Sequence, residues 1–352
     1  MMKNTWKRMT VFALVLVLAI STLTACGGGG NTGSTTPGGS ESSKSNDVLT
    51  IQLAHADVEN ETGIHHKMSL LFRQYVDELS DGTIQIEIVG GGQLGGERDL
   101  VEGMQLGTIE MASTANMVLS NFMPEFAVLD LPYMFGDYAA AYKVLDSEAI
   151  AEVIEKFASE QGVRILAYHN GGFRQTAGNK AINSLADFSG MKIRVPESDI
   201  YSDTFNALGA SPVPLAYTDT FTALQQKTVD AFEIAAAVIL SNNFYEVCSD
   251  LSITNHLFSP SPFMISESLY QSLTEEQKAV LDEAAEKAAA DQRTWMEAND
   301  ETLINQLEEN GMTINRPDVA ELQIAVQNSG LYEKYRDIVG SDLLDSVMQL
   351  AS

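Results

Sequence analysis

The chain has 352 residues, 48 acidic and 21 basic, for a formal net charge of −27. Such a surface repels phosphate backbones and anionic headgroups, which excludes nucleic acid and charged lipid as partners, whereas a small anion can still be held by local charge. The length is more than one core usually holds and points to two domains.

Met1 to Ala25 reads as a leader: Lys3, Lys7 and Arg8 precede the apolar run Val11 to Ile20, which is short for a bilayer span. Leu23-Thr24-Ala25-Cys26 resembles the bacterial lipobox, which implies that Cys26 is lipid-modified and begins the mature chain. Residues 26–47, nearly all Gly, Ser, Thr and Asn, then form a flexible tether to the outer face of a membrane. Cys248 is left without a partner, and Val247 and Leu251 beside it suit a small buried residue.

Val48 to Ala54 alternates as a strand, and Gly63 to Leu79 sets Ile64, Met68, Phe72 and Val76 at helical spacing. Thr83 to Val89 alternates again before Gly90-Gly91-Gly92, and helical periodicity returns over Glu97 to Leu106. Thr108 to Ser113 is a third strand. Ligands of open α/β sheets sit beyond the carboxyl ends of strands, so Ser113-Thr114-Ala115-Asn116 and Ala54-His55-Ala56-Asp57 are candidate walls. Tyr138 to Gln161 reads as one amphipathic helix ending at Gly162, and Val163 to His169 as the next strand.

The following segment, Gly171 to Asp230, carries Arg174 and Arg194 on apolar strands that head into a core. A guanidinium is always charged and its planar fork meets a carboxylate at two points, so the pair reads as a receptor for an organic acid. Met191 to Val195 is a strand stopped by Pro196, and Asp199 to Leu208 a helix stopped by Gly209. Ala210 to Leu215, rich in proline, suits a sheet edge or a connection between domains. Asp219 to Lys227 is helical and Val229 to Ile234 extended, so the α/β alternation has restarted in a second domain. Thr274-Glu275-Glu276-Gln277 has the form of a capping box, and Gln277 to Leu307 runs on without Gly or Pro. A helix of that length spans ~45 Å and crosses from one domain to the other.

Several stretches fall in the order of a known family: Gly92-Gln93-Leu94-Gly95-Gly96-Glu97, Leu131-Pro132-Tyr133-Met134-Phe135, Gly190-Met191-Lys192-Ile193-Arg194-Val195, Leu208-Gly209-Ala210-Ser211-Pro212, and Phe244-Tyr245-Glu246-Val247. With the Gly107-Thr108-Ile109 turn and Ala223-Leu224-Gln225 before Val229-Asp230, the chain over about residues 48 to 340 resembles the extracytoplasmic solute-binding subunits of TRAP (tripartite ATP-independent periplasmic) transporters, the DctP family.

The resemblance implies an α/β, two-lobed clamshell of the periplasmic-binding-protein kind, with a long helix crossing both lobes. Lobe I would take residues 48–171 and about 260–299, and lobe II residues 172–259 and about 300–352. It implies that Arg194 grips a substrate carboxylate, and that Arg174 either meets the ligand or holds the hinge. His55 (or Ala54), Glu97, Asn116 with Ala115, Phe173, Glu197, Tyr217, Glu233 and Ile234 fall at or beside cleft positions, though Phe173 and Tyr217 suit a plain core equally. Ile234 stands where many relatives carry a polar residue, and Glu197 where sialic acid binders carry asparagine, which argues against sialic acid. A C4-dicarboxylate or a sugar acid is the implied substrate, delivered to small and large TRAP membrane subunits for ion-gradient-driven uptake. The alternative is a lipoprotein sensor presenting an organic acid to a membrane receptor.

Other chemistries lack support in the residues. His65-His66 are adjacent on a helix, about 100° apart, and read as solvated surface rather than a metal pair. No Lys-Ser or Lys-Thr follows the glycines, and no nucleophile elbow appears, so neither a cofactor nor an enzymatic activity is expected.

Overall fold

The computed structural model describes residues 48–352. The leader, the tether and Cys26 lie outside the described residues.

The strands are β1 (Leu49–His55), β2 (Ile84–Val89), β3 (Met111–Ser113), β4 (Val163–Gly178), β5 (Lys192–Val195), β6 (Ser211–Pro214), β7 (Ala231–Ala235), β8 (Asp250–Ser266) and β9 (Thr313–Asn315). They form one sheet in the order β2-β1-β3-β8-β4-β7-β5-β6, with β9 also on β8. Two long strands make this sheet two lobes. β4 and β8 pair antiparallel from Val163↔Ser266 to Gly178↔Asp250. One end of β8 receives β3 at Met111↔Ile265, with β1 and β2 beyond it. The opposite end of β4 receives β7 at Arg174↔Ala235, with β5 and β6 beyond. The proline-bearing β6 is the edge strand, where a missing N–H costs no ladder bond.

Between the lobes the ladder is irregular, with register shifts at Asn170/Phe173 and Arg174/Thr176. Gly171 and Gly172 make this possible: a Cβ on Gly171 would meet the Ser259 carbonyl at 2.3 Å, and Gly172 adopts φ +84. The partner strand carries Pro262 opposite Tyr168 and Pro260 opposite Asn170, neither with an N–H to offer. The long helix supplies the missing donors. Gln292 Nε2 donates to the Asn170 carbonyl at 2.8 Å and Arg293 Nε to the Tyr168 carbonyl at 3.0 Å, while Gln292 Oε1 accepts from Asn170 N at 2.8 Å.

That helix, Glu275–Glu309, opens on the expected capping box: Gln277 N donates to Thr274 Oγ1 and Thr274 N to Gln277 Oε1. Its 35 residues cover about 52 Å. Leu281, Ala284 and Ala288 pack in one apolar cluster with Phe72, Val76 and Phe263; Met296, Leu303 and Leu307 pack in another with Phe232, Ile239 and Phe244. Each large side chain so buried stabilises by about 1.5–3 kcal/mol, which ties the helix to both lobes. A third cluster joins Phe126 and Phe157 to Leu322, Tyr335, Leu344 and Val347 near the C-terminus.

The single helix expected over Tyr138 to Gln161 is two, Tyr138–Leu145 and Glu148–Gln161. Asp146 closes the first, and Ser147, in extended conformation, stands at the N-cap position of the second without a side-chain bond to it. Apolar periodicity runs through this break because both helices face the same core, and the Asp146 carboxylate receives the Arg293 guanidinium at 2.7 and 2.8 Å. The third strand is shorter than expected, Met111–Ser113 instead of Thr108 to Ser113, since Gly107 and Thr108 turn back on the Gly103–Met104 carbonyls. No helix among the described residues is long and apolar enough to cross a membrane.

Candidate functional site

Parallel strands direct their carboxyl ends to one side of a sheet, and here β1 and β3 of one lobe and β5, β6 and β7 of the other converge on a cavity over the hinge. Asp57, His65, Glu97, Ala115 and Met117 line it from the first lobe. Arg194, Tyr217, Ile234 and Val238 line it from the second, and Gly171, Arg174, Ser259 and Ser261 come from the crossing strands. Its volume is about 30 Å³, room for roughly two waters, so the lobes here are closed and must part to admit a solute.

Arg194 is 2% exposed. Its Nε and Nη2 both donate to the Leu215 carbonyl, at 3.1 and 2.7 Å, and among the described residues it forms no ion pair. Burial, with Arg174 nearby, pulls its pKa down to about 10. A buried cation without an anion costs several kcal/mol, and a carboxylate arriving in the cavity would relieve that cost.

Arg174 is placed differently. Its Nε and Nη2 meet the two Glu233 carboxylate oxygens at 2.5 and 2.8 Å, and Nη2 also reaches the Glu233 carbonyl at 3.0 Å. Against the burial of both groups, the pairing holds the Arg174 pKa up and the Glu233 pKa down. Only Nη1, 3.4 Å from Ser259 Oγ on the cavity wall, is left to meet a solute. Glu233 itself is off the wall, between Arg174 and His256 Nε2 at 3.1 Å. Its expected contact with substrate is replaced by a role in fixing Arg174.

The first-lobe wall is acidic. Glu97, the first residue of the helix Glu97–Gln105, accepts from Ala115 N at 2.7 Å and lies 3.9 Å from His65 Nε2. Asp57 accepts from the backbone N of His65 at the start of the helix Ile64–Ser80, where the helix dipole favours a carboxylate. Burial raises both carboxyl pKa values and lowers that of His65. Behind them, Ser113 Oγ bridges His65 Nδ1 at 2.8 Å and His169 Nε2 at 2.9 Å.

The solvated surface expected for His65-His66 is therefore overturned at His65: the helix turns it inward, while its neighbour His66 is half-buried. Asp57 was legible only as part of a strand-end loop, and His65, Met117, Ser259 and Ser261 gave no sequence signal, since β8 as a whole was not apparent in the pattern. Of the expected residues, Arg194, Arg174, Glu97, Ala115, Tyr217 and Ile234 stand together on the wall. The Tyr217 hydroxyl is buried without a partner. Glu197, exposed, lies with Arg98 and Asn121 in the outer groove that leads to Arg194.

Three expected contacts lie elsewhere. Asn116 is spent on internal bonds: Nδ2 donates to Asp130 Oδ2 at 2.6 Å and to the Phe126 carbonyl, and Oδ1 accepts from Tyr168. Phe173 packs in an aromatic group with Tyr138 and Phe258. His55 is buried beside the wall, its Nε2 3.1 Å from His66 Nδ1, and burial lowers its pKa to about 4. Each is held by its immediate neighbours, an outcome no spacing reveals. No group of His, Cys, Asp and Glu among the described residues could hold a metal ion.

Two lobes closed on a buried guanidinium that has no ion-pair partner among the described residues define a solute-binding protein for a small anion. Comparison with known proteins gives its kin. The family model for bacterial extracellular solute-binding protein, family 7 (DctP), matches residues 55–336, and the chain belongs to that family. A solute-binding protein of Roseobacter denitrificans is 34% identical over 297 residues, 83% of this chain and 90% of the relative. The Bacillus subtilis C4-dicarboxylate-binding protein DctB is 28% identical over 79% of this chain and 80% of its own. Among solved structures, the R. denitrificans TRAP periplasmic solute-binding protein with bound L-galactonate has a TM-score of 0.79 at 32% identity, covering 86% of this chain and 99% of that one. The Polaromonas protein bound to D-erythronate has a TM-score of 0.81 at 29% identity, covering 85% and 98%.

Proposed function

We propose that this chain captures a small organic acid outside the cytoplasm, with Arg194 receiving the carboxylate, and hands it to the small and large membrane subunits of a TRAP transporter for ion-gradient-driven uptake. The observation that carries the reading is a fully buried guanidinium, braced by the Leu215 carbonyl and without an acidic partner among the described residues, inside a cavity between two lobes. Arg174 adds a donor through Nη1, Tyr217 a free hydroxyl, and Asp57 and Glu97 accept from the far end of the solute. The solute names of its relatives, sugar acids and a C4-dicarboxylate, support an organic acid as the class. Closure strengthens the pair by excluding water. Lipidation at Cys26 and the tether of residues 26–47 would keep the domain near its membrane subunits. A thermal-shift panel of organic acids tests the reading: an acid at 100 times its Kd adds ~2.7 kcal/mol of stability, and silence across mono- and dicarboxylates would remove it.

A further inference from the structure

We infer that the cleft takes hydroxylated monocarboxylates and turns away dicarboxylates, with Asp57 and Glu97 as the residues that discriminate. The inference rests on the carboxylate-receptor reading and adds a charge balance to it. Two guanidinium groups border the cavity, but Glu233 neutralises Arg174 through two bonds, so among the described residues Arg194 is the cation there without a carboxylate partner. Facing it across the cleft stand two carboxyl groups, Asp57 and Glu97, each fixed by a backbone N–H at 3.2 and 2.7 Å. His65, the remaining titratable group on that wall, is bonded to Ser113, and its burial disfavours the charged form.

A solute with its carboxylate on Arg194 therefore directs its other end at acceptors. A hydroxyl there gains hydrogen bonds; a second carboxylate finds no unneutralised guanidinium and meets two carboxyl groups, which it can approach only against like charge or by the uptake of a proton. Neutral hydroxyls complete the wall at Tyr217, Ser259 and Ser261, at several points around the cavity, which fits a solute bearing several hydroxyls better than one bearing a single ammonium.

The test uses acids that differ at one carbon: erythronate against tartrate, gluconate against glucarate, and galactonate against galactarate, in each of which a terminal CH2OH becomes a carboxylate. Titration calorimetry on the purified chain at pH 7.5 is expected to show at least one monoacid binding about a hundredfold or more tighter than its diacid. The variant Asp57→Asn/Glu97→Gln, if its melting shows it folded, should narrow that ratio about tenfold or more. A diacid that equals or outbinds its monoacid overturns the inference and leaves the carboxylate reading standing; an amino acid that outbinds the hydroxy acid of its length overturns the hydroxyl assignment. Failure of every acid to bind removes both readings.

Discussion

Arg174 and Glu233 are bound fork to fork, Nε to Oε2 at 2.5 Å and Nη2 to Oε1 at 2.8 Å, at 3% and 0% side-chain exposure. Both sit on paired strands, β4 and β7, two residues out of register, Arg174 lying opposite Ala235 and Glu233 opposite Thr176, so the pair is part of the second lobe's own framework. The contrast with Arg194, which has only a carbonyl to lean on, separates a guanidinium that holds structure from one that awaits a ligand.

Arg194→Ala is therefore expected to weaken binding of the bound acid by about 3–5 kcal/mol, since the carboxylate would be buried without its partner. Arg194→Met should do the same while raising the melting temperature of the ligand-free protein, because an unpaired buried charge disappears. Calorimetry and melting curves with and without acid read both effects; near-parental affinity in either variant would falsify the assignment.

Glu233→Gln acts through stability. It leaves Arg174 charged and buried without a counter-ion, at an expected cost of about 3–5 kcal/mol in urea unfolding. Replacing both, as Arg174→Met/Glu233→Met, should cost less than Glu233→Gln alone; a larger loss in the double variant would contradict the pairing.

Asp130 provides a pH dependence. It is buried between Asn116 and Tyr201, and burial raises its pKa from 3.8 to about 7. The folded state thus binds the proton more tightly than the unfolded chain, and the associated stability is full below pH 4 and lost as pH rises through 7. Asp130→Asn should flatten that part of the stability curve between pH 4 and 7; an unchanged slope would place the titration elsewhere.

Gln292→Ala removes two bonds at once from Asn170, whose strand partner Pro260 has no N–H. The expected cost is about 3 kcal/mol, with hydrogen exchange speeding up around residues 168–173. Gln292→Glu should recover part of it, since one oxygen still accepts from Asn170 N; equal losses in the two variants would show that packing alone matters there.

Much of this can be read from the residues in order. Alternating β1 and β2, the capped 35-residue helix, the proline-marked edge strand and the arginine at 194 were all legible, because periodicity, caps and obligatory charge are local properties of the chain. The remainder follows from packing. Which arginine is free depends on Glu233, 59 residues from Arg174, and His65 enters the wall only because its helix packs against the long helix and the sheet. Strand β8 is buried along both faces and broken by Pro260 and Pro262, so it carries no alternation to read, and its prolines are tolerated only because Gln292 and Arg293 stand behind its partner strand. Charge pairing and burial are properties of neighbours brought together from distant parts of the chain, and those neighbours are fixed by packing.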